Sequence, residues 1–386
     1  IISQIRSFKN KLSISPGSYI DISLSKINKK NKVFFKKNDV VLKKLGRVKN
    51  FYNKDVKKPS ASLVIKGEVF KLYFEENIDL NLIKQNLSYS NQNGLIAFMS
   101  DKEINHSELS DFMNEQSLVS SKIEVNSIQY LWDVFEILSD TIIKDSKLIY
   151  NYKKGLLHPS CVLINDDSII INSNASISAG TILDASEGPI VIDENATLDI
   201  GVLVKGPAYI GKNSIINPGA KIRGPVSIGE FCKVGGEVED SIIQAFSNKQ
   251  HDGFLGHSYI GEWVNLGANT NTSDLKNNYS NIRVQLKNNN QIDTGKMFIG
   301  SIIGDFSSTA ISTKLNSGTY IGTGSNIFSD GFQKKYIQAF TWGEDNKVGL
   351  NRFIKKCEIS MSRRKKALSE PLKNRLINLW KSGSNS

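Results

Sequence analysis

An aliphatic residue recurs every six positions through most of the second half of this chain. Eight consecutive hexads carry it in the same slot, at Ile192, Leu198, Val204, Ile210, Ile216, Ile222, Ile228 and Val234. With about a quarter of residues aliphatic, one frame would do this by chance roughly once in 10⁵. Neither an α-helix nor a hairpin sheet has a period of six. One hexad makes a short strand and a turn, and three hexads make a triangular coil whose aliphatic slots point inward. The period therefore predicts a parallel β-helix.

The same register extends on both sides of this run. Its further members are Ile171, Ile177, Leu183, Ile260, Leu266, Ile303, Thr309, Leu315, Ile321 and Ile327. Two departures interrupt it, at 239–254 and 272–296. Because a loop that leaves a regular solenoid often carries function, we expect functional residues near these departures.

The register divides the chain into four predicted parts. Residues 1–105 are expected to be an α/β segment, with strands at 18–24, 62–74 and 94–99 and short helices at 40–49 and 80–86. Residues 106–157 are expected to form a helical connector and residues 158–335 the β-helix. Residues 336–386 are expected to be a basic helical tail.

Two predicted helical segments could each either pack on the protein itself or bind a partner. In the helix expected over 106–149, one apolar stripe consists of Ile128, Leu131, Trp132, Phe135, Leu138 and Ile142. This stripe is either a partner surface or, as we expect, a face packed on its own chain. The basic tail, with Arg-Arg-Lys-Lys at 363–366, is either a nucleic-acid patch or a helix docked on the solenoid end or a neighbouring subunit. Docking is the expectation.

Composition narrows the class of protein. The three cysteines lie far apart with no C-x-x-C pair, which suits a reducing cytoplasm better than a disulfide framework. No apolar run of about eighteen residues and no signal pattern is present. The net charge of +11 fits nucleic acid, acidic lipid or an anionic substrate, but a coding bias toward Lys and Asn is the explanation that we favour. We expect neither nucleic acid nor a membrane as partner.

The residues that can carry chemistry are concentrated at 247–270. This stretch holds His251, His257 and an Asn-Leu-Gly-Ala turn at 265–268. An ordinary imidazole, with a pKa of about 6.5, accepts a proton at neutral pH, so His251 is a candidate general base. The alternative is a solvated loop histidine, and His257 is expected to pack at a corner. The candidate cations for a phosphate are Lys221, Arg223, Lys249, Lys276 and Arg283.

These hexads resemble a known family. Two stretches carry the resemblance, Lys-Gln-His-Asp-Gly-Phe-Leu-Gly at 249–256 and Ile-Gly-Glu-Trp-Val-Asn-Leu-Gly-Ala at 260–268. It is the family of the bifunctional N-acetylglucosamine-1-phosphate uridyltransferase / glucosamine-1-phosphate acetyltransferase, above all its alternative bacterial form, described as a sugar nucleotidyltransferase. The resemblance covers roughly residues 125–335. It implies a left-handed β-helix, an exception to the usual right-handed crossover, and a homotrimer with acetyl-CoA bound between neighbouring prisms.

The resemblance also implies roles for individual residues. His251 matches the family's catalytic base, and no metal ligand is expected. The substrate-binding residues would be Phe254, Asn265, Asn278, Tyr279, Lys221, Arg223, Lys276 and Arg283. The residues near the acyl donor would be Gly267, Ala268 and Thr309.

The chain departs from the family pattern at three places. Asn217 replaces an arginine of the family's phosphate anchor, and a second family lysine is replaced near Gly235. The Gly-rich loop of the nucleotidyltransferase domain has no counterpart in residues 1–105, so we expect the start of that domain to be missing or degraded. Mg²⁺ and a nucleoside triphosphate would be needed only if that half is functional.

Together these observations predict a cytoplasmic N-acetyltransferase. It would use acetyl-CoA to acetylate an amino-sugar 1-phosphate such as glucosamine-1-phosphate in nucleotide-sugar synthesis, with His251 as base. Two alternatives remain open. One is a sugar-1-phosphate nucleotidyltransferase whose β-helix serves assembly or regulation, and the other is a non-catalytic trimeric scaffold.

Overall fold

A computed structural model of the chain describes the backbone of short strands between residues 20 and 122, and residues 128–148, 155–287 and 290–382. The chain forms two compact units, Ile1–Gln129 and Tyr130–Ser386. One sheet of the first unit has the strand order Val48–Tyr52, Ile20–Ser23, Glu68–Phe74 and Ala61–Ile65. The other has the order Gly94–Phe98, Leu87–Asn91 and Val119–Lys122. The strands predicted at 18–24 and 94–99 are thus present, whereas the single strand predicted at 62–74 is two antiparallel strands, Ala61–Ile65 and Glu68–Phe74. The predicted helices at 40–49 and 80–86 lie outside the described residues, except that residues 48 and 49 begin a strand.

The helix predicted over 106–149 is shorter than expected. A strand occupies Val119–Lys122, and the helical part is a 3₁₀ turn at Leu131–Asp133 followed by helix α1, Val134–Ser146. From the predicted stripe, Trp132, Leu138 and Ile142 are buried, whereas Ile128 and Leu131 are exposed. Trp132 belongs to an apolar cluster with residues of the loop at 272–300. The stripe therefore packs on its own chain, as expected.

Residues 156–342 form a left-handed parallel β-helix of about ten turns. Its three faces are numbered in the order in which the chain reaches them. The strands of face 1 are Leu156–Leu157, Ser176–Ile177, Thr197–Leu198, Ile215–Ile216, Lys233–Val234, Asn248–Lys249, Ser308–Thr309, Asn326–Ile327 and Thr341–Trp342, the last paired with Asn346–Lys347. The strands of face 2 are Val162–Ile164, Ile182–Asp184, Leu203–Lys205, Phe254–Gly256, Asn271–Thr272 and Lys314–Leu315. The strands of face 3 are Ile169–Ile171, Ile190–Ile192, Ala208–Ile210, Tyr259–Ile260, Ser301–Ile303, Thr319–Ile321 and Tyr336–Ile337.

Two longer strands bend from face 2 onto face 3. They are Lys221–Ile228 and Glu237–Ile243, and each pairs with strands of both faces. A second 3₁₀ turn, Asp166–Ser168, lies in the first turn of the solenoid. Along face 1, Thr197–Leu198, Ile215–Ile216 and Lys233–Val234 pair in parallel register at intervals of three hexads.

The predicted aliphatic slot points into the solenoid. From Ile192 to Val234 every slot residue is at most 2% exposed, and these side chains belong to one cluster that runs from Ile169 to Ile337. Burying one aliphatic side chain contributes about 1.5–3 kcal/mol, so the slot supplies the main stabilising term of this unit.

The two interruptions of the register have different structures. Residues 239–254 were expected to leave the solenoid, but they stay on it as shortened turns that contain Asn248–Lys249. The other interruption is a true insertion between faces 2 and 3. It contains the antiparallel hairpin Arg283–Lys287 and Asn290–Asp293.

Aromatic residues line the corner between faces 3 and 1, called corner 3–1. In the early turns this corner is occupied by Asn195 and Asn213, and in the later turns by aromatic residues. All of them have a positive φ, and the aromatic residues are Phe231, Phe246, Trp263, Phe306 and Phe340. The left-handed conformation costs a non-glycine residue about 1–2 kcal/mol. Stacking offsets this cost, because ring centroids are 5.5 Å apart for Phe231–Phe246 and 4.2 Å apart for Phe246–Trp263.

The basic tail covers this aromatic corner. It consists of helix α2, Leu350–Ser362, and helix α3, Glu370–Ser382, whose buried side chains Phe353, Cys357, Met361 and Leu376 join the aromatic cluster. The tail was expected to begin at residue 336 and to dock on the solenoid end or on a neighbouring subunit. Strands Tyr336–Ile337 and Thr341–Trp342 instead continue the solenoid, and the helices dock along its side. In the described part of the chain, no helix has the length and apolarity that a membrane crossing requires.

Candidate active site at the corner between faces 1 and 2

The corner between faces 1 and 2, called corner 1–2, carries His251. The residue lies in the short connection 250–253 and its side chain is exposed. Two side chains hold the backbone of this connection from neighbouring positions. Asn217 Nδ2 donates a hydrogen bond of 2.7 Å to the Gln250 carbonyl, and Lys249 Nζ donates one of 2.7 Å to the His251 carbonyl. The backbone at His251 is therefore fixed while its imidazole faces outward.

Lys249 is a lysine in the aliphatic slot. It pairs in register with Val234, is 3% exposed, and donates from Nζ to the Gly235 carbonyl at 2.8 Å as well as to His251. Burial lowers the pKa of its ammonium to about 8. The expectation that Lys249 binds a phosphate at the surface was wrong, because its side chain points into the solenoid. Its position was visible in the sequence, since Lys249 lies six residues after Ile243 and six before Leu255, both of which are buried.

The next two turns bring the predicted acyl-donor residues to the same corner. The Asn269 N–H donates to the Asp252 carbonyl at 2.9 Å, which ties the turn of Gly267 and Ala268 to that of His251. In the following turn, Ser312 N–H donates to the Ala268 carbonyl at 2.7 Å. Gly267 and Ala268 are half-buried at the surface of this corner.

Thr309 lies in the inward slot of this column rather than at its surface. It is 7% exposed, and its hydroxyl accepts from the Gly267 N–H at 3.0 Å and lies 2.8 Å from the Thr270 hydroxyl. The Thr309 side chain thus supports the turn at Gly267 from within.

The predicted substrate residues on the solenoid flank this corner. Asn265 is exposed on face 1, where its Oδ1 accepts from Asn248 Nδ2 at 3.3 Å. Phe254 is half-buried at the start of face 2. Lys221 stands in the same column as Phe254, two turns earlier. Arg223 already pairs with two carboxylates, Glu237 at 2.9 Å and Glu239 in a shorter contact, so its charge is compensated within the chain.

The other four predicted substrate residues lie on the insertion, at the corner between faces 2 and 3, called corner 2–3. Asn278 Oδ1 accepts from the Ser280 N–H at 3.2 Å, and Tyr279 is 65% exposed. Lys276 Nζ donates to the Asn281 carbonyl, and Arg283 Nε is 3.8 Å from Asp293 Oδ2. Within one chain, the predicted substrate residues therefore fall into two groups at two corners.

The second histidine anchors this insertion. His257 Nδ1 is 2.8 Å from Asp274 Oδ2, its Nε2 is 3.8 Å from Asp240 Oδ2, and its ring stacks on Phe298 with centroids 5.1 Å apart. Asp274 and Phe298 lie near the two ends of the insertion, so His257 holds both. Burial raises the pKa of Asp240 to about 6, although the nearby His257 lowers it in part. Sequence reasoning missed both carboxylates, although each lies 17 residues, or one turn of the solenoid, from His257.

A cavity of about 400 Å³ lies between face 1 and the end of helix α2. Its lining includes Asn265 and Gln250, the residue before His251, so it adjoins the candidate site. Arg364 crosses from the tail to face 1, where Nη2 donates to Asn248 Oδ1 at 2.9 Å. Among the residues that the structure describes, no group of three His, Cys, Asp or Glu side chains is arranged to hold a metal ion.

Comparison with known proteins finds local similarities. No protein-family model matches the chain. Over 98 residues, 25% of this chain, it is 32% identical to the bifunctional sugar-1-phosphate nucleotidylyltransferase/acetyltransferase of Sulfurisphaera tokodaii, and it covers 24% of that protein. Over 88 residues, 23% of this chain, it is 58% identical to the valine–tRNA ligase of Pelagibacter ubique, of which it covers 10%.

Two solved structures are also similar, both UDP-N-acetylglucosamine acyltransferases. The one from Campylobacter jejuni is 14% identical, with a TM-score of 0.26, over 58% of this chain and 81% of that chain. The one from Arabidopsis is 14% identical, with a TM-score of 0.23, over 56% of this chain and 80% of that chain. This chain spans about a quarter or less of its curated relatives, so the activities in their names apply to it only as hypotheses.

Proposed function

We propose that corner 1–2 is the active site of an N-acyltransferase that acetylates an amino-sugar 1-phosphate. The observation that carries this proposal is the fixed backbone at His251, whose carbonyl is held from inside by the buried Lys249 while its side chain stays exposed. The name of the Sulfurisphaera tokodaii relative, which includes both an acetyltransferase and a sugar 1-phosphate, supports the choice of reaction and substrate.

In the proposed reaction, the amine nitrogen of the sugar attacks the thioester carbonyl carbon of acetyl-CoA. The imidazole of His251 accepts the proton that the amine loses as the C–N bond forms. When the tetrahedral intermediate collapses, the C–S bond breaks and the thiolate of CoA leaves. His251 then returns the proton to the sulfur, so the products are the N-acetyl sugar phosphate and free CoA.

Neighbouring side chains supply positioning in this proposal. Asn265 and Phe254 flank His251 on the two faces and would contact the sugar. Gly267 and Ala268, in the next turn, would face the acyl donor. The residues of the insertion, Lys276, Asn278, Tyr279 and Arg283, would complete the site from a second copy of the chain in the proposed homotrimer.

The test measures thiol release from acetyl-CoA with glucosamine-1-phosphate, beside a reaction that lacks the sugar. We expect sugar-dependent release, and we expect His251→Ala to lower kcat about 10²–10⁴-fold, the usual contribution of a general base. His158→Ala is the matched control, because His158 is also an exposed histidine of the solenoid but lies in its first turn. Wild-type turnover in a folded His251→Ala variant would reject His251 as the base.

The nucleotidyltransferase activity remains a prediction about residues 1–105, as do its Mg²⁺ and nucleoside triphosphate. It is tested separately, by pyrophosphate release from UTP and N-acetylglucosamine-1-phosphate. Absence of both activities in the folded protein would favour the scaffold alternative.

A further inference from the structure

Three cations converge on the cavity between face 1 and helix α2. Arg363 and Arg364 reach it from the end of helix α2, and Lys233 reaches it from face 1. No carboxylate is among its lining residues, and within the described part of the chain none of these three cations belongs to an ion pair. Like charges that converge without a counter-charge repel one another, and the repulsion is relieved when an anion binds between them.

The position of the two arginines at a helix end does not by itself indicate a ligand. Cations at the C-terminal end of a helix interact favourably with its dipole. Arg364, however, extends across to Asn248 on face 1, and Lys233 belongs to a different element altogether. The charges therefore come together from two separate walls, which the helix dipole does not explain.

Helix α2 is held firmly in this position. The Lys356 ammonium, also on helix α2, donates to the Phe306 carbonyl at 2.8 Å, to Ser308 Oγ at 3.0 Å and to Asn326 Oδ1 at 3.1 Å. Ser308 itself lines the cavity. Phe353 of the same helix is fully buried against the aromatic corner. The two walls of the cavity are thus fixed relative to each other before any ligand binds.

The other lining groups suit a polar, phosphorylated molecule. Asn248, Asn265 and Ser308 present amide and hydroxyl groups to the cavity. Arginine and lysine are the side chains that bind phosphate groups, arginine through two parallel N–H donors. A volume of about 400 Å³ accommodates a small phosphorylated ligand or part of a larger one.

We propose that this cavity binds the phosphate or pyrophosphate group of a substrate, with Lys233, Arg363 and Arg364 as its cations. The assignment of that group to a substrate of acyl transfer rests on the proposed function. Because Gln250 lines the cavity and precedes His251, a phosphate held there would place the rest of its molecule beside corner 1–2. The phosphate belongs either to the amino-sugar 1-phosphate or to CoA, and the test separates these two sources.

The experiment titrates the whole chain with inorganic pyrophosphate, glucosamine-1-phosphate and CoA by calorimetry at low ionic strength. The test variants are Arg363→Gln/Arg364→Gln on one wall and Lys233→Gln on the other. The matched control is Lys355→Gln/Arg375→Gln, which removes two charges from exposed positions of helices α2 and α3 that do not line the cavity. We expect the affinity for at least one probe to fall tenfold or more in both test variants and to stay within twofold in the control.

The pattern of losses identifies the source of the phosphate. A loss confined to glucosamine-1-phosphate and pyrophosphate assigns the cavity to the acceptor, and a loss confined to CoA and pyrophosphate assigns it to the donor. Loss of pyrophosphate affinity in a protein without acetyl transfer would support the cavity and reject the proposed function. If no probe loses affinity in either test variant, with circular dichroism unchanged, the phosphate site is refuted whatever the catalytic activity.

Discussion

Replacing Lys249 by Met tests the buried cation on which the candidate site is built. Met has nearly the length of Lys and fits an aliphatic slot, so the volume of the core is conserved. The variant removes the cost of burying a charge but leaves the carbonyls of Gly235 and His251 without their donor, at about 1–3 kcal/mol for each unsatisfied group. The two effects have opposite signs, so we expect the variant to fold at neutral pH.

The sharper expectation concerns pH. The pKa of Lys249 is about 8 in the folded protein, against an ordinary value of 10.5 in the unfolded chain. Between these values the unfolded chain binds the proton more tightly, so the free energy of unfolding of the wild type rises as pH increases. From pH 7 to pH 10 the free energy of unfolding of the wild type should rise by roughly 2–3 kcal/mol relative to that of Lys249→Met, since one pKa unit corresponds to about 1.36 kcal/mol.

The assay is urea unfolding followed by circular dichroism at pH 7, 8, 9 and 10. Taking the difference between wild type and Lys249→Met cancels the titration of groups common to both proteins. Lys355→Met, at an exposed position, is the control and should show a difference that does not vary with pH. A difference between wild type and Lys249→Met that is equally flat would refute the buried, charged Lys249. Acyl transfer should also fall in Lys249→Met, because the backbone of His251 loses its internal support.

Two further predictions concern the corners. Gly236→Ala should lower the free energy of unfolding by about 2–4 kcal/mol, because φ is 69° there and the new Cβ would lie 2.7 Å from Lys249 Nζ and 2.9 Å from the Gly253 carbonyl oxygen. Gly219→Ala, where φ is 68° but nothing lies within 4 Å of the new Cβ, should cost only about 1–2 kcal/mol, and equal losses in urea unfolding would contradict the steric argument. At corner 2–3, Asp240→Asn should raise the free energy of unfolding at pH 7, since the folded carboxyl has a pKa of about 6 against an ordinary value of 3.8 and its charged form is the disfavoured one. The full shift corresponds to about 3 kcal/mol, and solvent screening of this partly exposed group lowers the expected gain to about 1–2 kcal/mol. The gain should disappear as pH falls from 6 to 4, where the carboxyl of the wild type becomes neutral, and a gain that persists at pH 4 would point to a cause other than titration.

The candidate site was predictable where it follows the register and unpredictable where it does not. Gly267 and Ala268 lie at corner 1–2, where the sequence placed a turn, whereas His251 lies at the same corner and not in a loop that leaves the solenoid, as was expected. Asp240 and Asp274 were missed, since they lie one turn before and one turn after His257 at a spacing of 17 residues, whereas the regular hexads have 18 residues per turn. Lys249 was misassigned as a candidate cation for a phosphate, although its spacing from Ile243 and Leu255 indicated the interior.

The sequence by itself determined the solenoid and the inward face of each strand. This was possible because one strand and one turn are completed within six residues. The repeat is therefore a local property, and every hexad carries the same pattern. Only the tertiary structure decided where the basic tail lies and what it encloses. The tail has no repeat, and its helices meet corner 3–1 through contacts such as that of Phe353 with Phe306 and Phe340, far away in sequence. The convergence of Lys233 with Arg363 and Arg364 follows from that docking, because long-range packing alone brings the two walls together.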